Sequence, residues 1–264
     1  MGLKQPARPR SAPANSIATC MEATPTREPA WLVLPTYNEA GNIERFVGAV
    51  RAVLPESAHV LIVDDNSPDG TGEIADRLAA EHPNVAVLHR PHKEGLGPAY
   101  IAGFRRALAE GASLVLEMDS DFSHDPSYLP AMLAAAERAD LVIGSRYVAG
   151  GGVEDWGAVR RVISRGGSAY ARLVLGLSVR DLTAGFKCFR REVLEALDLD
   201  AIGSRGYAFQ VEITYRTIQQ GFDVVEVPIV FRDRQVGDSK IDGSVIREAL
   251  WRVPLLRFGN KRQR

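Results

Sequence analysis

Short, wholly apolar segments alternate with segments of helical periodicity in the first half of this sequence, and that alternation limits the fold more than any other feature. In each helical segment apolar residues recur three and four positions apart, as on one face of an amphipathic helix. Segments that are apolar throughout are typical of strands whose sheet is covered on both faces. The predicted strands are WLVLPTY (31–37), HVLIVDD (59–65), NVAVLHR (84–90), SLVLEMDSD (113–121) and DLVIGSRY (140–147).

The alternation predicts an α/β fold with a mostly parallel, Rossmann-like sheet, right-handed crossovers and helices on both faces. The four intervening helices are expected over residues 38–54, 70–82, 97–111 and 127–139. In sheets of this kind ligands bind beyond the carboxyl ends of the strands. The residues that follow each strand should therefore carry the chemistry.

The chain's length and charge set the remaining limits. Its 264 residues leave room for one large domain, and residues 1–29, which hold five of the fifteen prolines, are expected to form a disordered tail. A net charge of -1 gives no global reason to expect a nucleic-acid partner. The absence of a long apolar run, together with only two cysteines, favours a cytoplasmic protein that could still lie on a membrane surface.

Carboxylates follow three strands of the predicted sheet, of which the first is followed by Glu39. Asp64 follows the second strand, and Asp119 and Asp121 follow the fourth. Two carboxylates that are two residues apart at a strand end can be aimed at one hard divalent cation such as Mg²⁺. The alternative is a helix N-cap or loop aspartate, a role for which Asp125, directly before Pro126, is the better candidate.

Charge is also segregated along the chain. Residues 64–125 carry 12 acids and 5 bases, whereas residues 151–191 carry 8 bases and 3 acids and residues 228–264 carry 9 bases and 4 acids. An acidic cluster that faces two basic segments suggests a metal on one side of a site and phosphates on the other. The alternative is that these charge runs are solvated faces.

The acidic pair Asp64–Asp65 after an apolar strand also resembles that of a response-regulator receiver domain. Asp119 and Ser145 could supply that domain's later aspartate and hydroxyl. The domain also needs a lysine shortly afterwards, and the sequence has none between Lys93 and Lys187. The receiver alternative is therefore disfavoured.

Seven motifs occur in an order that resembles glycosyltransferase family two, which has the GT-A fold, and within it the dolichol-phosphate or polyprenol-phosphate mannosyltransferases. The resemblance runs from about Trp31 to Ile241. Each motif alone is modest, but seven in order are specific. They are PTYNEAGNI, VDDNSPDGT, GLGPAYIAGF, MDSDFSH, IGSRY, LTAGFKCFRR and GDSK.

The resemblance implies an inverting, metal-dependent enzyme that transfers mannose from GDP-mannose to a polyprenyl monophosphate. Mg²⁺ or Mn²⁺ would be its cofactor. Its partners would be the nucleotide sugar, the lipid, and a membrane surface or an integral-membrane partner protein. The alternatives are a related transferase that uses UDP-glucose, or a catalytically silent subunit that binds a nucleotide sugar.

The resemblance also implies roles for residues on the donor side. The metal ligands would be Asp119 and Asp121, the second also lying near the sugar. Some relatives have a glutamine where this chain has Ser123, so the resemblance provides no third side-chain ligand there. The residues implied for nucleotide-sugar binding are Pro35, Tyr37, Glu39, Asp64, Lys93, Asp119, Asp121, Arg234 and Lys240.

On the acceptor side, Arg146, Arg160 and Ser164 resemble a clamp for the lipid phosphate, and with Asp121 they are the residues implied for catalysis. Arg160 and Ser164 are four residues apart, so a helix would place them on one face. The segment RDRQVGDSK, with Arg234, Ser239 and Lys240, resembles a flexible lid over the diphosphate, or else a polar turn. Glu212 also looks like a family position, but the sequence assigns it no role.

The C-terminal residues mix large apolar side chains with arginines. VIREALWRVPLLRF (245–258) is followed by NKRQR, a pattern that suits an interfacial membrane anchor or a helix packed on the domain. The expected organisation is therefore a tail over 1–29, a catalytic domain over 30–243 and an amphipathic, basic segment over 244–264.

Overall fold

The computed structural model describes residues 29–204, 206–232 and 243–258. Of the predicted N-terminal tail only Pro29 is described. Three residues of the predicted lid, Arg234, Ser239 and Lys240, lie outside the described residues.

Strands and helices alternate through the first half of the described chain, as the sequence predicts. The strands are β1 Ala30–Thr36, β2 His59–Asp64, β3 Val85–His89, β4 Leu114–Glu117, β5 Leu141–Ser145, β6 Gly152–Val153, β7 Lys187–Arg190, β8 Val224–Pro228 and β9 Val230–Phe231. The helices are α1 Ile43–Val53, α2 Thr71–Glu81, α3 Leu96–Ala109, α4 Leu129–Ala136, α5 Ala158–Leu175, α6 Arg191–Ala196, α7 Gly206–Gln219 and α8 Gly243–Phe258. Short 3₁₀ turns cover Pro126–Tyr128 and Leu199–Ala201.

Seven strands form one mostly parallel sheet in the order β3-β2-β1-β4-β7-β5-β8. β7 is the exception, because it runs antiparallel to β4 and to β5. The sequence analysis predicted the parallel strands but did not identify β7, so β5 is separated from β4 by a strand that the alternation did not reveal. β6 and β9 form a separate two-stranded parallel sheet.

Helices cover both faces of the large sheet, which confirms the interpretation of the apolar strands. Along β1, Trp31 and Val33 belong to one apolar cluster with residues of α3, α5 and α7. Leu32 and Leu34 belong to the other, with residues of α1, α2 and α4. Neighbouring strand residues point to opposite faces, so a strand between two helix layers must be apolar at every position.

Two helix starts are set by local hydrogen bonds. α1 begins at Ile43 rather than at Asn38, because residues 38–42 form a turn in which the Glu39 carbonyl accepts the N–H groups of Asn42 and Ile43, each at 2.9 Å. The Asp125 side chain accepts the Ser127 N–H at 2.9 Å, with Pro126 at the first position of the turn. Asp125 therefore has the capping role proposed for it.

The C-terminal helix α8 is packed on the domain along one side. Val253 is buried in the same cluster as Phe209 of α7, and Arg252 donates a 2.6 Å hydrogen bond to the Gly203 carbonyl. Trp251, Leu255 and Phe258 are exposed. Among the described helices, none is both long and apolar enough to span a bilayer.

A fully buried ion pair joins β4 to β7. Glu117 and Lys187 are directly opposite each other in the strand register, and Lys187 Nζ lies 2.8 Å from Glu117 Oε1. Nζ also donates to the Ala184 carbonyl at 2.6 Å and to the side-chain oxygen of Gln210. Burial raises the pKa of Glu117 and lowers that of Lys187, while the opposite charge of each partner opposes both shifts.

We expect Lys187→Met to lower the free energy of unfolding by about 3–5 kcal/mol, because Glu117 is left as an unpaired buried charge. The double variant Glu117→Gln/Lys187→Met should recover most of that loss. Urea unfolding followed by circular dichroism measures both. The control is Arg105→Met, which breaks the exposed pair with Asp200 and should cost less than about 1 kcal/mol. Equal losses in Lys187→Met and Arg105→Met would contradict the assignment.

Candidate active site

A cavity of about 290 Å³ opens at the carboxyl edge of the parallel strands. Eight of the residues predicted to form the site line it: Pro35, Tyr37, Glu39, Lys93, Asp119, Asp121, Arg146 and Arg160. Residues that the sequence analysis did not assign to the site also line it, among them Asp65, His124, Thr183, Gly185, Gln210 and Phe231. Asp64 and Ser164 are not among the lining residues, and Arg234 and Lys240 fall outside the part of the chain that the structure describes.

One wall of the cavity is built from the end of β1 and the loop before α3. Lys93 Nζ lies 3.7 Å from the centroid of the Tyr37 ring, a cation–π contact that ties the two segments together. An aromatic face beside an ammonium group can accept a flat base and an anionic phosphate. This wall therefore has the chemistry that a nucleotide requires.

The end of β2 presents Asp65 to the cavity, whereas Asp64 turns into its own loop. Asp64 accepts hydrogen bonds from the Ser67 hydroxyl at 2.5 Å and the Ser67 N–H at 3.2 Å. Asp65 is held by Arg90, whose Nη1 lies 2.5 Å from Oδ1. Burial raises the pKa of Asp65, although the Arg90 guanidinium opposes that shift. The predicted nucleotide contact of Asp64 thus remains a prediction, and the structure brings its neighbour to the cavity.

The two carboxylates after β4 are placed differently. Asp119 retains 31% exposure of its side chain, and its Oδ1 accepts a 3.3 Å hydrogen bond from the Tyr100 hydroxyl. Burial raises the pKa of Tyr100 well above its usual value, and the charge on Asp119 adds to the shift, so the hydroxyl keeps its proton and donates. Asp121 is buried, and its Oδ1 accepts the Ser123 N–H at 3.0 Å. Both carboxylates line the cavity.

The turn that follows Asp121 has an unusual backbone. Phe122 has a φ of 62°, in the left-handed region, which a bulky residue seldom adopts. Its ring packs edge-on against Phe46 with centroids 4.9 Å apart, and the Arg45 guanidinium lies 5.2 Å from its centroid. Asn38 after β1 and Asn66 after β2 also have positive φ. Each of these three residues is adjacent in sequence to a residue that lines the cavity, and unusual backbone angles are common at functional sites.

His124 is buried in the cavity wall beside the carboxylates. Its Nδ1 lies 3.9 Å from Asp119 Oδ2 and makes no hydrogen bond to any described residue. Burial lowers the pKa of His124 to about 4, so the imidazole is neutral at pH 7. The sequence analysis assigned His124 no role at the site, because nothing in its spacing relates it to Asp119.

The basic part of the cavity lining is centred on a buried ion pair. Arg146 Nε and Nη2 donate to the two carboxylate oxygens of Asp181, each at 2.7 Å, and Nη2 also donates to the Thr183 hydroxyl at 2.8 Å. Burial raises the pKa of Asp181, but the Arg146 charge and hydrogen bonds outweigh it and hold the pKa below its usual value. Arg146 therefore lines the cavity with its charge shared with a carboxylate.

Helix α5 carries the second arginine of this wall. The Arg160 guanidinium lies 4.2 Å from the centroid of the buried Trp156 ring. One turn further on, Ser164 accepts a 2.6 Å hydrogen bond from the Tyr147 hydroxyl, and Ser168 is 3.1 Å from the Thr183 hydroxyl. These bonds fix α5 against the residues that follow β5 and precede β7. Arg160 and Ser164 share a face as predicted, but only Arg160 lines the cavity.

The antiparallel strand explains several residues that sequence reasoning missed. β7 begins at the edge where the parallel strands end, so the residues before it, Asp181, Thr183 and Gly185, reach the same rim as residues that follow the other strands. A search restricted to residues after strands could not find them.

Gln210 and Glu212 of helix α7 have different surroundings. Gln210 lines the cavity from the first turns of α7. Glu212 points elsewhere, since its carboxylate accepts from the Ser204 N–H at 3.1 Å and from Arg216 Nε at 2.8 Å. Glu212 thus closes the turn that leads into α7, a structural role that the sequence alone did not assign.

The donor set of the cavity fits a hard divalent cation that is completed by other oxygens. Asp119 and Asp121 offer carboxylates, and the neutral His124 leaves a buried nitrogen without a hydrogen bond beside them. Within the described ranges, no three acidic, histidine or cysteine side chains converge closely enough to hold a metal alone. Mg²⁺ and similar ions are commonly held by one or two carboxylates with phosphate oxygens and water, which matches this arrangement.

Sequence comparison identifies the same family that the seven motifs resemble. Residues 31–198 match the family described as Glycosyl transferase family 2. The chain is 52% identical to the undecaprenyl-phosphate mannosyltransferase of Micrococcus luteus, over 86% of this chain and 92% of the relative. It is 50% identical to the polyprenol monophosphomannose synthase of Mycolicibacterium smegmatis, over 84% of each.

Solved structures share the fold. The glucosyl-3-phosphoglycerate synthase of Mycobacterium tuberculosis in complex with Mn²⁺, UDP-glucose and glycerol 3-phosphate superimposes with a TM-score of 0.64 at 19% identity. That match covers 88% of this chain and 81% of the other. The same enzyme in complex with phosphoglyceric acid gives a TM-score of 0.64 at 20% identity, with the same coverage. The predicted GT-A fold with a mostly parallel sheet is therefore confirmed.

We expect Asp181→Asn to lower the free energy of unfolding at pH 7 by about 3–5 kcal/mol, because the buried Arg146 guanidinium loses its carboxylate. The folded pKa of Asp181 lies below its ordinary value of 3.8. The carboxylate therefore stabilises the fold fully above that ordinary value and loses this contribution as the pH falls through the lower folded pKa. The difference between wild type and variant should accordingly shrink below about pH 4.

Urea unfolding at a series of pH values measures this difference. Asp200→Asn, at an exposed carboxylate, is the control and should change stability by less than about 1 kcal/mol at every pH. A wild-type advantage over Asp181→Asn that stayed constant down to acid pH would contradict the assignment.

Proposed function

The chain belongs to glycosyl transferase family 2, and on that premise we propose that it transfers mannose from GDP-mannose to the phosphate of a polyprenyl monophosphate, with inversion at the sugar carbon. The observation that carries the proposal is that one cavity is lined by the carboxylates of Asp119 and Asp121 and by the guanidinium groups of Arg146 and Arg160. Relatives that are about half identical over most of their length are named for mannose transfer to such lipids. The proposal therefore combines the charged side chains of the cavity with the lipid phosphate substrates for which the relatives are named.

The reaction places two anions side by side. A phosphate oxygen of the lipid attacks the anomeric carbon of mannose, a new carbon–oxygen bond forms, and the bond from that carbon to the diphosphate breaks, releasing GDP. The second pKa of a phosphate monoester is about 6, so the nucleophile is already ionised at neutral pH. No general base is required, and none of the residues in the cavity is assigned that role.

The donor side of the cavity would hold the nucleotide sugar. In this proposal Tyr37 and Lys93 contact the guanosine and its phosphates, with Pro35 and Glu39 beside them. Asp119 and Asp121 would hold a Mg²⁺ or Mn²⁺ ion, with diphosphate oxygens and water as the remaining ligands. That ion supplies charge stabilisation to the leaving diphosphate. The proposed contacts of Asp64, Arg234 and Lys240 remain predictions.

The acceptor side would hold the lipid phosphate. We assign the principal contact to Arg160, because the fork of a guanidinium matches phosphate oxygens and its contact with Trp156 holds the group at the cavity wall. Arg146 would contribute from within its pair with Asp181. Ser164 would join only if its hydrogen bond with Tyr147 rearranges.

Because a polyprenyl chain is too apolar to leave the bilayer, the proposal includes peripheral association with the cytoplasmic membrane face. There a soluble nucleotide sugar and a membrane lipid can meet. The catalytic domain is proposed to span residues 30–243, with residues 244–264 as an accessory segment.

Transfer of radiolabelled sugar tests the reaction. The purified chain is mixed with polyprenyl phosphate in detergent and offered GDP-mannose or UDP-glucose in parallel. We expect organic-extractable label from GDP-mannose only, lost with EDTA and restored by Mg²⁺ or Mn²⁺. If only UDP-glucose gave labelled lipid, the proposed donor would be wrong. If neither nucleotide sugar gave labelled lipid, a silent sugar-binding subunit would be favoured.

A matched pair of aspartate variants tests the metal ligands in the same assay. Asp119→Asn should lower turnover by at least about 100-fold. Asp125→Asn should stay near wild type, because asparagine caps a helix as well as aspartate does. Near-normal turnover of Asp119→Asn would show that Asp119 is not a metal ligand.

Arg160→Lys tests the acceptor clamp, since lysine keeps the charge but loses the fork. A charge-assisted hydrogen bond contributes about 1.5–3 kcal/mol, so we expect the KM for polyprenyl phosphate to rise about 10- to 100-fold. The KM for GDP-mannose should change less than about twofold. Arg161→Lys, at the exposed neighbouring position, is the control. An effect confined to the donor KM would place Arg160 on the nucleotide side instead.

A further inference from the structure

Exposed apolar side chains are concentrated on two helices. Among the side chains that the structure describes, eight large hydrophobic residues are exposed, and seven of them belong to α5 or α8. The eighth is Val225 on the edge strand β8. The seven are Val159, Val162, Ile163 and Leu173 of α5 and Trp251, Leu255 and Phe258 of α8. Scattered single exposures are normal, but such a concentration marks an interaction surface.

The α5 residues form one continuous stripe. At 100° per residue, Val159, Val162 and Leu173 fall within one narrow sector of the helix. Their exposures are 74%, 71% and 82%, so this sector is almost uncovered. The opposite sector contains the buried Ser168 and Ala171. α5 is therefore packed along one side and apolar along the side that faces outward.

Arginines flank this stripe. Arg161, Arg165 and Arg172 lie on the sector between the buried side and the apolar side, and all three are exposed. The sequence of α5, AVRRVISRGGSAYARLVL, holds four arginines and no acidic residue. An exposed apolar stripe beside a purely basic one is the pattern of a helix that lies in the interface of an anionic bilayer.

α8 extends the surface at the other end of α5. Arg257 Nη1 donates a 2.6 Å hydrogen bond to the Val174 carbonyl, which holds the last turn of α8 next to the last turn of α5. Leu173 and Phe258 belong to these two turns and are both exposed. The indole of Trp251, also on α8, is the side chain most suited to a membrane interface.

The stripe starts at the end of α5 that also carries a cavity residue. Val159 is adjacent in sequence to Arg160, which lines the cavity and carries the proposed contact to the lipid phosphate. A hydrogen bond from the Tyr147 hydroxyl to Ser164 and another between the hydroxyls of Ser168 and Thr183 hold the helix in this position. A lipid whose phosphate reached Arg160 would therefore meet the same end of α5 that carries Val159 and Val162.

We propose that Val159, Val162, Ile163 and Leu173 of α5, with Trp251, Leu255 and Phe258 of α8, form a docking surface that seats on a lipid bilayer containing anionic headgroups. The inference rests on the proposed function, because a polyprenyl phosphate is delivered from a bilayer. It also moves the membrane contact from the C-terminal segment alone to a surface that begins beside the active site.

A second copy of this chain fits the docking surface less well. A symmetric dimer across α5 would bring its arginines against the same arginines of the other copy. Such like-charge contacts are unfavourable, whereas anionic headgroups complement them. The arginines of α5 therefore favour an anionic bilayer over a second copy of the chain as the partner of the docking surface.

Vesicle flotation of the full chain tests the surface. The test variant is Val159→Ser/Val162→Ser, because serine and valine have similar helix propensities and neither position touches the cavity. Val225→Ser is the matched control. We expect wild type and Val225→Ser to float with phosphatidylglycerol-containing vesicles, and the double variant to bind at least about tenfold more weakly. Binding should also fall with added salt or with phosphatidylcholine alone.

Transfer assays separate this surface from the proposed function. The double variant should match wild type with a short, water-soluble prenyl phosphate in detergent and lose most of its rate with a long-chain acceptor in vesicles. If wild type transferred mannose to neither acceptor, the proposed function would be wrong. The flotation experiment would still test the docking surface independently.

Two outcomes would overturn the docking surface. The first is equal flotation of the double variant and wild type. The second is a dimer in light scattering that the double variant dissociates, because that result would make a second copy the occupant.

Discussion

The buried pair of Glu117 and Lys187 holds together the part of the sheet on which the site is built. Two charges without solvent are stable only while each keeps its partner, so the pair fixes the register of β7 against β4. Asp119 lies two residues beyond Glu117, and the Lys187 ammonium also holds the side chain of Gln210 in the cavity wall. The position of the carboxylates and the insertion of an antiparallel strand thus depend on one interaction.

The same antiparallel strand makes the site two-sided. Parallel strands deliver residues only from their carboxyl ends, and here those residues include the acidic pair after β4. β7 delivers the residues that precede it, and Asp181 from that segment orients Arg146 at the end of β5. Acidic and basic side chains therefore line the same small cavity. That combination suits a reaction in which one anion leaves while another attacks.

The sequence was sufficient for the elements whose pattern is periodic and for the residues directly after them. β1 to β5 and α1 to α4 follow from apolar spacing, and eight predicted residues line the cavity. β7 was not predicted from the sequence, because it has only four residues and its buried lysine interrupts the apolar pattern. The choice between Asp64 and Asp65 depends on a turn with a left-handed asparagine, and the pairing of Arg146 depends on a residue 35 positions away. Neither is encoded in local spacing.

In the proposed membrane-bound state, helix α5 lies between the aqueous cavity and the lipid bilayer. Its inner side carries Arg160, which the proposed function places beside the lipid phosphate, while its outer side carries exposed valines. A lipid phosphate requires both environments within a few ångströms, because its headgroup is charged and its chain is not. A rigid helix fixed by Ser164 and Ser168 can keep that boundary at a constant distance from Asp119. A flexible loop in this place would leave the depth of the phosphate, and hence its alignment with the sugar carbon, to chance.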